Sequence, residues 1–366
     1  MSKQLSVRLY GQPLGMLEQD RDGRMRFTYL AEAQSPLLSL GMPLSQSEYD
    51  HQHCEAYFGG LLPESEHARK ALGKRFGISP FNTFSLLREI GYDCAGAVSL
   101  HEPDAPIKPE EGFLLEGRPL TDEELVEYIK ELPQKPLFIG IDGLRLSLAG
   151  VQDKAAICLI DDQIALPQQG CPTTHILKPA IEQFAGTVQN EYFCMRLAKH
   201  LGLDVAHVEM RRAHDIPYLL VKRYDRELDG KRIRRIHQED FCQATGILTS
   251  KKYQNEGGPG LKNCFDLLRE TTTPVIDRNR LAQGIVFNYL IGNNDAHGKN
   301  FSLLHRSLKP AHSGAESTYQ MELAPLYDLL STRIYENLTR KMAMKIGSKY
   351  EVDNVEPRHW EQLCKD

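Results

Sequence analysis

The segment NNDAHGKNFSLL at residues 293–304 carries the residue types that phosphoryl transfer requires. Asp295 and Asn300 lie five positions apart in a loop between a predicted helix and an apolar strand. Phosphoryl-transfer loops use this spacing because a carboxylate must accept the hydroxyl proton and a nearby amide oxygen must hold a magnesium ion. The alternative is an Asn/Asp/Gly-rich turn whose side chains satisfy only backbone groups.

A second acid follows in the apolar segment LAPLYDLLS, where Asp328 lies 28 residues after Asn300. A carboxylate C-terminal to the catalytic loop can chelate magnesium between nucleotide phosphates. Alone, Asp328 is better explained as the cap of a following helix, with Ser331 in its first turn. Together with Asp295 and Asn300, the metal-ligand interpretation is favoured.

Lys178 lies in the apolar strand-like segment HILKPA. A buried ammonium needs a partner, and in phosphotransferases it pairs with nucleotide phosphates and a helix glutamate. Glu191, at the start of the next helix, is the candidate. A snorkelling lysine on an edge strand is the alternative.

Upstream, LSLAGVQDKAAICLI predicts a strand, a polar loop and another strand. Backbone amides of such a loop can bind phosphates, and Lys154 adds a charge. Taken alone, this segment is better explained as an ordinary hairpin. The basic run at 222–235 follows the strand YLLV, where a hinge between lobes is expected, and continues into a solvated hairpin. The basic excess at 331–350 is interpreted as a solvated helix surface, with a nucleic-acid interface as the less favoured alternative.

These residues need scaffolding elements, which the sequence also predicts. Residues 1–101 form a small α+β unit, and 102–135 form a linker followed by a helix with a Thr121–Glu124 capping box. Residues 136–225 form a strand-rich lobe containing the helix NEYFCMRLAKHLGL, with apolar residues every four positions. Residues 226–366 form a helical lobe.

Composition restricts the class of protein. The chain has 366 residues, and its 44 basic and 49 acidic residues give a net charge of −5, so it is not a polycationic nucleic-acid binder. No apolar run is long enough to span a membrane, and the N-terminus lacks a signal-peptide core. Eight scattered cysteines without CxxC indicate reduced thiols rather than disulfides or structural zinc. We expect a cytoplasmic protein without membrane partners.

The order of these motifs resembles the HipA family, bacterial toxin serine/threonine kinases that pair with a helix-turn-helix antitoxin, HipB. The similarity extends over nearly the whole chain. It is carried by YFGGLLPES, SLAGVQDKAAICL, NEYFCMRLAKHLGL, VKRYDR, QEDFCQATG, KYQNEGGPG and LIGNNDAHGKNFS. The resemblance implies an α+β, two-lobed protein-kinase-like fold: a strand-rich N-lobe with an extra N-terminal subdomain (1–101), and an all-helical C-lobe (226–366).

The resemblance also implies roles for individual residues. Asp295 is the expected catalytic base, and Asn300 and Asp328 are the expected ligands of Mg²⁺. Ser147 stands at the family's autophosphorylation position. The expected ATP-binding residues are Ala149, Gly150, Val151, Gln152, Asp153, Lys154, Lys178, Lys222, Arg223, Tyr224, His297, Gly298, Lys299, Asn300, Tyr327 and Asp328. Lys222 stands where a hinge glutamate is common, which matters little if backbone groups bind adenine.

The implied activity is ATP- and Mg²⁺-dependent phosphorylation of a translation component, typically an aminoacyl-tRNA synthetase, which inhibits growth. Operator DNA is expected to be reached only through the antitoxin complex. One alternative is a small-molecule or lipid kinase, and another is a catalytically silent corepressor bound to its antitoxin on DNA. Family members usually continue with further helices beyond EPRHWEQLCKD, where this sequence ends.

Overall fold

A computed structural model of the chain describes residues 3–31, 37–107, 113–133, 152–168, 170–308 and 318–365. The N-terminal residues form a five-stranded antiparallel sheet of order β4-β3-β2-β1-β5. Its strands are β1 (Lys3–Leu9), β2 (Gln12–Gln19), β3 (Met25–Tyr29), β4 (Glu48–Tyr49) and β5 (Val98–His101). Tyr10 and Gly11 both adopt positive φ in the tight β1–β2 turn.

Three helices pack on this sheet: α1 (His51–Phe58), α2 (Glu66–Phe76) and α3 (Thr83–Ile90). Each begins at a polar side chain, Asp50, Ser65 or Asn82, which accepts a hydrogen bond from a first-turn amide. The apolar faces of the sheet and helices share one core, which includes Phe27 and Phe58. Most of this core belongs to the N-terminal subdomain, and Ala156 of the following lobe completes it.

Residues of the predicted linker join the next lobe. Strand β6 (Gly117–Pro119) pairs with strand β8 (Gln163–Pro167), and helix α4 (Asp122–Glu131) buries Leu125 and Ile129 in the core of that lobe. The Thr121–Glu124 capping box is present, as the sequence predicts.

The N-lobe contains a six-stranded antiparallel sheet of order β10-β11-β9-β7-β8-β6. Its strands after β6 are β7 (Ala155–Ile160), β8 (Gln163–Pro167), β9 (His175–Pro179), β10 (Val208–Ala213) and β11 (Ile216–Lys222). The predicted helix is present as α5 (Thr187–His200), and it buries Glu191, Cys194 and Ala198. Of the apolar residues spaced four positions apart, Phe193 is 66% and Leu201 60% exposed, so they do not form the buried face of the helix.

The C-lobe contains helices α6 (Phe241–Ala244), α7 (Leu261–Leu267), α8 (Pro274–Ile291) and α9 (Pro357–Lys365). The expectation that this lobe is helical throughout is wrong. It also contains the hairpin β12 (Arg226–Asp229) with β13 (Arg232–Arg235), the sheet β14 (His237–Asp240), β15 (Ser302–Leu308) and β16 (Thr318–Leu323), and the hairpin β17 (Lys341–Ile346) with β18 (Lys349–Glu351). Strand β15 follows the predicted catalytic loop (293–300) directly and pairs with β14, so sheet pairing helps to position the loop.

Within the described ranges, no helix is both long and apolar enough to cross a bilayer.

A buried ionic cluster joins the N-terminal subdomain to the segment after β11. Asp93 of the subdomain accepts a 2.8 Å hydrogen bond from Arg226 and lies 3.6 Å from Arg223. Asp225 binds both arginines at 2.8–2.9 Å, and all four side chains are almost fully buried. Burial alone would raise the pKa of Asp225, but Arg223 and Arg226 lower that pKa to about 2. Asp93 and Asp225 are therefore both ionised, and their ion pairs link the subdomain to the segment after β11.

Asp93→Ala should destabilise the fold by ~3–5 kcal/mol, because it removes one of the two carboxylates that neutralise the buried arginines. Equilibrium unfolding in denaturant measures this loss. The matched control is Glu102→Ala, which removes an exposed acid near Arg88 and should leave the unfolding free energy nearly unchanged. Equal stability of the two variants would contradict a structural role for the cluster.

Candidate active site

The loop that follows α8 is fixed by hydrogen bonds before it reaches Asp295. Gly292 ends the helix with φ +69°, a conformation that favours glycine. The Asn293 side chain donates to Asn288 Oδ1 at 2.8 Å and to the backbone carbonyl of Asp328 at 3.2 Å. The backbone amide of Asn294 donates to Thr332 Oγ1. The asparagines of NND therefore position the loop and tie it to the Asp328 segment.

Asp295 is exposed, as a residue that meets an acceptor must be. Its Oδ1 accepts a 2.6 Å hydrogen bond from the Tyr253 hydroxyl. Desolvation by the surrounding walls raises the pKa of Asp295, and the negative charge of Asp328 adds to this effect. A carboxylate with a raised pKa is a better proton acceptor than an ordinary surface aspartate.

Asn300 lies in the 3₁₀ turn Gly298–Asn300 and is 9% exposed. Its Oδ1 is buried without a hydrogen-bond partner in the part of the chain that the structure describes. A buried amide oxygen without a partner is costly, so its position calls for a bound cation or donor. Oxygen is the ligand type that Mg²⁺ prefers, and this residue therefore fits the predicted metal.

Asp328 lies close by and has φ +54°, a strained conformation for a non-glycine residue. No helix begins after it, which excludes the helix-cap alternative. Its Oδ1 accepts a hydrogen bond from Lys178. Burial alone would raise the pKa of Asp328, but the ammonium groups of Lys178 and Lys154 lower that pKa to about 2. Asp328 is thus an ionised carboxylate, suited to hold a divalent cation.

Lys178 on β9 pairs with Glu191 on α5, the partner that the sequence predicts. The Nζ–Oε1 distance is 2.7 Å, and each side chain is only 8% exposed. Burial favours the neutral amine, but Asp328 and Glu191 outweigh it and raise the pKa of Lys178. The lysine is a fixed cation between the two lobes.

Of the predicted phosphate loop, Ala149, Gly150 and Val151 lie outside the described residues, as does Ser147. Gln152 donates to the carbonyl of Pro179 at 3.1 Å, which ties the loop to β9. Burial lowers the pKa of Lys154 to about 8, although Asp328 opposes this. Among the described residues, Lys154 has no ion-pair or hydrogen-bond partner, and its charge remains available to an anion. Burial raises the pKa of Asp153.

At the hinge, the backbone amides of Lys222 and Arg223 donate to His207 and Thr174. The Arg223 side chain points into the buried ionic cluster with Asp225. These two amides and this guanidinium therefore already have hydrogen-bond partners within the protein.

The aromatic rings of Tyr224 and Tyr327 lie beside the hinge, with centroids 5.7 Å apart. The Tyr327 hydroxyl donates to the carbonyl of Lys299 and lies 2.7 Å from the Ser302 hydroxyl. These rings connect the hinge to the catalytic loop.

The remaining residues of the loop, 297–299, are buried and contact other parts of the protein. Lys299 Nζ donates to Asp240 at 2.6 Å and to the Gly60 carbonyl at 3.2 Å, so its charge is neutralised away from Asp328. Burial lowers the pKa of His297 to about 3, and this imidazole is neutral. Gly298 has no room for a side chain, because a Cβ atom would lie 2.4 Å from Pro259.

The structure thus brings together an exposed carboxylate with a raised pKa, a lysine anchored between two acids, and two oxygen-bearing side chains suited to a cation. This arrangement matches phosphoryl transfer, in which catalysis is mainly positioning and charge stabilisation.

Comparison with known proteins agrees with this chemistry. The family model of the HipA-like C-terminal domain matches residues 146–366, more than half of the chain, and the HipA N-terminal domain matches residues 5–101. The chain belongs to the HipA family. The "Putative kinase Y4mE" of Sinorhizobium fredii is 43% identical over 99% of this chain and 85% of that protein. The "Serine/threonine-protein kinase toxin HipA" of Shewanella oneidensis is 34% identical over 87% of this chain and 72% of that protein.

A solved structure of the Shewanella oneidensis HipA protein with HipB and operator DNA aligns with a TM-score of 0.82. The identity is 29%, and the alignment covers 99% of this chain and 84% of that one. The α+β, two-lobed kinase-like fold is thereby confirmed, and the HipA-family chain is a kinase.

Sequence reasoning missed Tyr253, which binds Asp295, and the neighbouring pair Lys252 and Glu64. The only signal was that they lie within KYQNEGGPG and YFGGLLPES, two stretches that resemble HipA signatures.

Lys178→Met should destabilise the protein by ~3–5 kcal/mol, because Glu191 and Asp328 lose their shared cation. Lys154→Met is the matched control in the same cleft. It removes a buried cation whose lowered pKa indicates that burial and repulsion from Lys178 outweigh attraction to Asp328, so stability should be unchanged or slightly higher. Thermal unfolding without nucleotide compares the stability of the two variants. Equal losses of stability would show that the ion pairs of Lys178 do not stabilise the fold.

Proposed function

We propose that this HipA-family kinase is an ATP- and Mg²⁺-dependent serine/threonine-protein kinase that acts as the toxin of a toxin–antitoxin pair. The observation that carries the proposal is the Lys178 ammonium held by Glu191 and Asp328, with the Asn300 oxygen in the neighbouring loop, which lacks a partner among the described residues. A purely structural ion pair does not need that oxygen, whereas a nucleotide–metal site does.

Asp295 orients the acceptor hydroxyl and takes its proton as the oxygen attacks the terminal phosphate. Exposure of Asp295 allows a protein side chain to approach, and the raised pKa of its carboxylate favours proton uptake. The Tyr253 hydrogen bond restricts the rotation of the carboxylate.

Asn300 and Asp328 would hold the magnesium ion, which when bound neutralises charge on the transferring phosphates. Lys178 and Lys154 bring cations to the phosphate side of the cleft, and residues 149–154 form the proposed phosphate loop. Tyr224 and Tyr327 offer ring faces at the hinge, where adenine would lie. His297, Gly298 and Lys299 shape the loop from behind.

The partners are inferred from relatives. The Shewanella oneidensis HipA structure contains HipB and operator DNA. We infer that this chain binds a helix-turn-helix antitoxin and reaches DNA through that complex. The net charge of −5 supports indirect rather than direct DNA binding. The proposed acceptor is a component of translation in the cytoplasm, typically an aminoacyl-tRNA synthetase.

Asp295→Ala should abolish phosphoryl transfer and leave ATP binding nearly intact, because this carboxylate acts on the acceptor rather than on the nucleotide. Phosphoproteomes of cells induced for the wild type or the variant measure the transfer and identify the acceptor. Nucleotide titration of the purified variant is the control for folding. Wild-type phosphorylation by Asp295→Ala would remove Asp295 from the mechanism.

Asp328→Ala should weaken ATP binding in the presence of Mg²⁺ much more than in EDTA, because it removes a proposed metal ligand. Titrations of ATP under both conditions separate metal-dependent affinity from general damage to the cleft. An unchanged ratio of the two affinities would exclude Asp328 as a metal ligand.

We also propose Ser147 as an autophosphorylation site that inactivates the kinase. A phosphate adds about −1.5 to −2 charge beside the proposed phosphate loop, where it would repel ATP. Mass spectrometry after incubation with MgATP, with Ser147→Ala as control, checks this. A fully phosphorylated protein that still binds ATP normally would refute the inactivation.

A further inference from the structure

The catalytic carboxylate is held by a residue from a distant loop. The Tyr253 hydroxyl donates to Asp295 Oδ1 at 2.6 Å. Within the described residues, no other side chain donates to this carboxylate. The ring also packs edge-on against His297, with centroids 5.2 Å apart. Tyr253 thus fixes the orientation of Asp295 from outside the catalytic loop.

Tyr253 is in turn connected to the N-terminal subdomain through its neighbour in sequence. Lys252 Nζ binds Glu64 Oε2 at 2.7 Å, and the side chains are 12% and 8% exposed. The same ammonium lies 5.4 Å from the centre of the Tyr253 ring. Glu64 belongs to the stretch LLPES after α1, so a subdomain acid reaches the neighbourhood of Asp295.

The loop that carries Tyr253, residues 251–260, is packed rather than free to swing. The Tyr253 carbonyl accepts from the backbone amides of Glu256 and Gly258 at 3.0 and 2.9 Å. Gln254 accepts a 2.8 Å hydrogen bond from the amide of Lys345. A Cβ atom at Gly258 would lie 2.3 Å from the Lys251 carbonyl, so the backbone fits tightly there. A loop held this way supports a fixed contact better than a removable plug.

We propose that Glu64 is a positioning residue that orients the catalytic carboxylate of Asp295 through Lys252 and Tyr253. The N-terminal subdomain thereby completes the acceptor side of the active site. The proposal rests on the assignment of Asp295 as the base. A buried ion pair suits this task because it is sensitive to geometry, and loss of one partner strongly disfavours the arrangement. A displacement of about 1 Å at a catalytic group is enough to slow a reaction greatly.

The test measures hydrolysis of MgATP by the full chain, with water as acceptor, and separates kcat from the KM for ATP. Tyr253→Phe removes one hydroxyl, and we expect kcat to fall roughly tenfold while KM for ATP is unchanged. Glu64→Gln and Lys252→Met should lower kcat in the same way. The kcat of the Glu64→Gln/Tyr253→Phe double variant should be no lower than that of Tyr253→Phe, because both substitutions break the same connection to Asp295.

Ser39→Ala is the matched control. Ser39 joins the same subdomain to Glu239 of the C-lobe without touching the 251–260 loop, and this variant should keep the wild-type kcat. An equal loss in Ser39→Ala would show that general attachment, not positioning, is responsible. A normal kcat in Lys252→Met, or multiplicative losses in the double variant, would also refute the relay. A higher kcat in Tyr253→Phe would mean that the hydroxyl obstructs the acceptor.

Asp295→Asn separates this proposal from the function itself. If Asp295→Asn retains hydrolysis, the assignment of the base is wrong. If Asp295→Asn is inactive while Glu64→Gln and Tyr253→Phe behave as the wild type, only the positioning role fails.

Discussion

The Lys178 ammonium, held by Glu191 and Asp328, is the constraint on which the active site depends. The three groups come from strand β9, helix α5 and a C-lobe loop, so one buried charge fixes three elements. Hydrophobic packing alone would tolerate small shifts between these elements, whereas an ammonium enclosed by carboxylates does not. The cleft between the lobes therefore has a defined geometry before a nucleotide enters.

Fixing Asp328 requires local strain. Its φ of +54° is unfavourable for aspartate, and it persists because the segment is bound on both sides. Asn293 binds the carbonyl of Asp328, and Tyr327 binds the carbonyl of Lys299. The catalytic loop and the Asp328 segment thus hold one another. Strain of this kind aims the carboxylate at Lys178 and at the side of the cleft where phosphates would lie.

Local sequence signals predicted the elements that depend on local physics. The Thr121–Glu124 capping box and helix α5 are present because caps and periodicity act within a few residues. The Lys178–Glu191 pair was also predictable, because an ammonium in an apolar strand needs a nearby acid. The apolar residues spaced four positions apart, such as Phe193, correctly predict helix α5. Their exposure could not be predicted, because it depends on which face of the helix the sheet covers.

The strands of the C-lobe could not be predicted in this way. Strand β14 has the polar sequence HQED, and it is buried only because distant groups satisfy its side chains. Glu239, for example, binds Ser39 and His305, which lie 200 and 66 residues away. Lys299 is similar, because its partner Asp240 lies 59 residues upstream. A polar residue whose partner is remote in sequence looks like a surface residue until the fold is known.

Buried polar contacts between residues remote in sequence also explain how the N-terminal subdomain is attached to the rest of the chain. Besides apolar packing, which includes Ala156 of β7, the subdomain meets the rest of the chain through buried polar contacts: Asp93 with Arg226, Ser39 with Glu239, and Glu64 with Lys252. An apolar interface gains free energy from area and permits sliding, whereas each buried polar group must find its own partner. Attachment of this kind specifies one orientation of the subdomain, and that orientation delivers Glu64 to the loop behind Asp295.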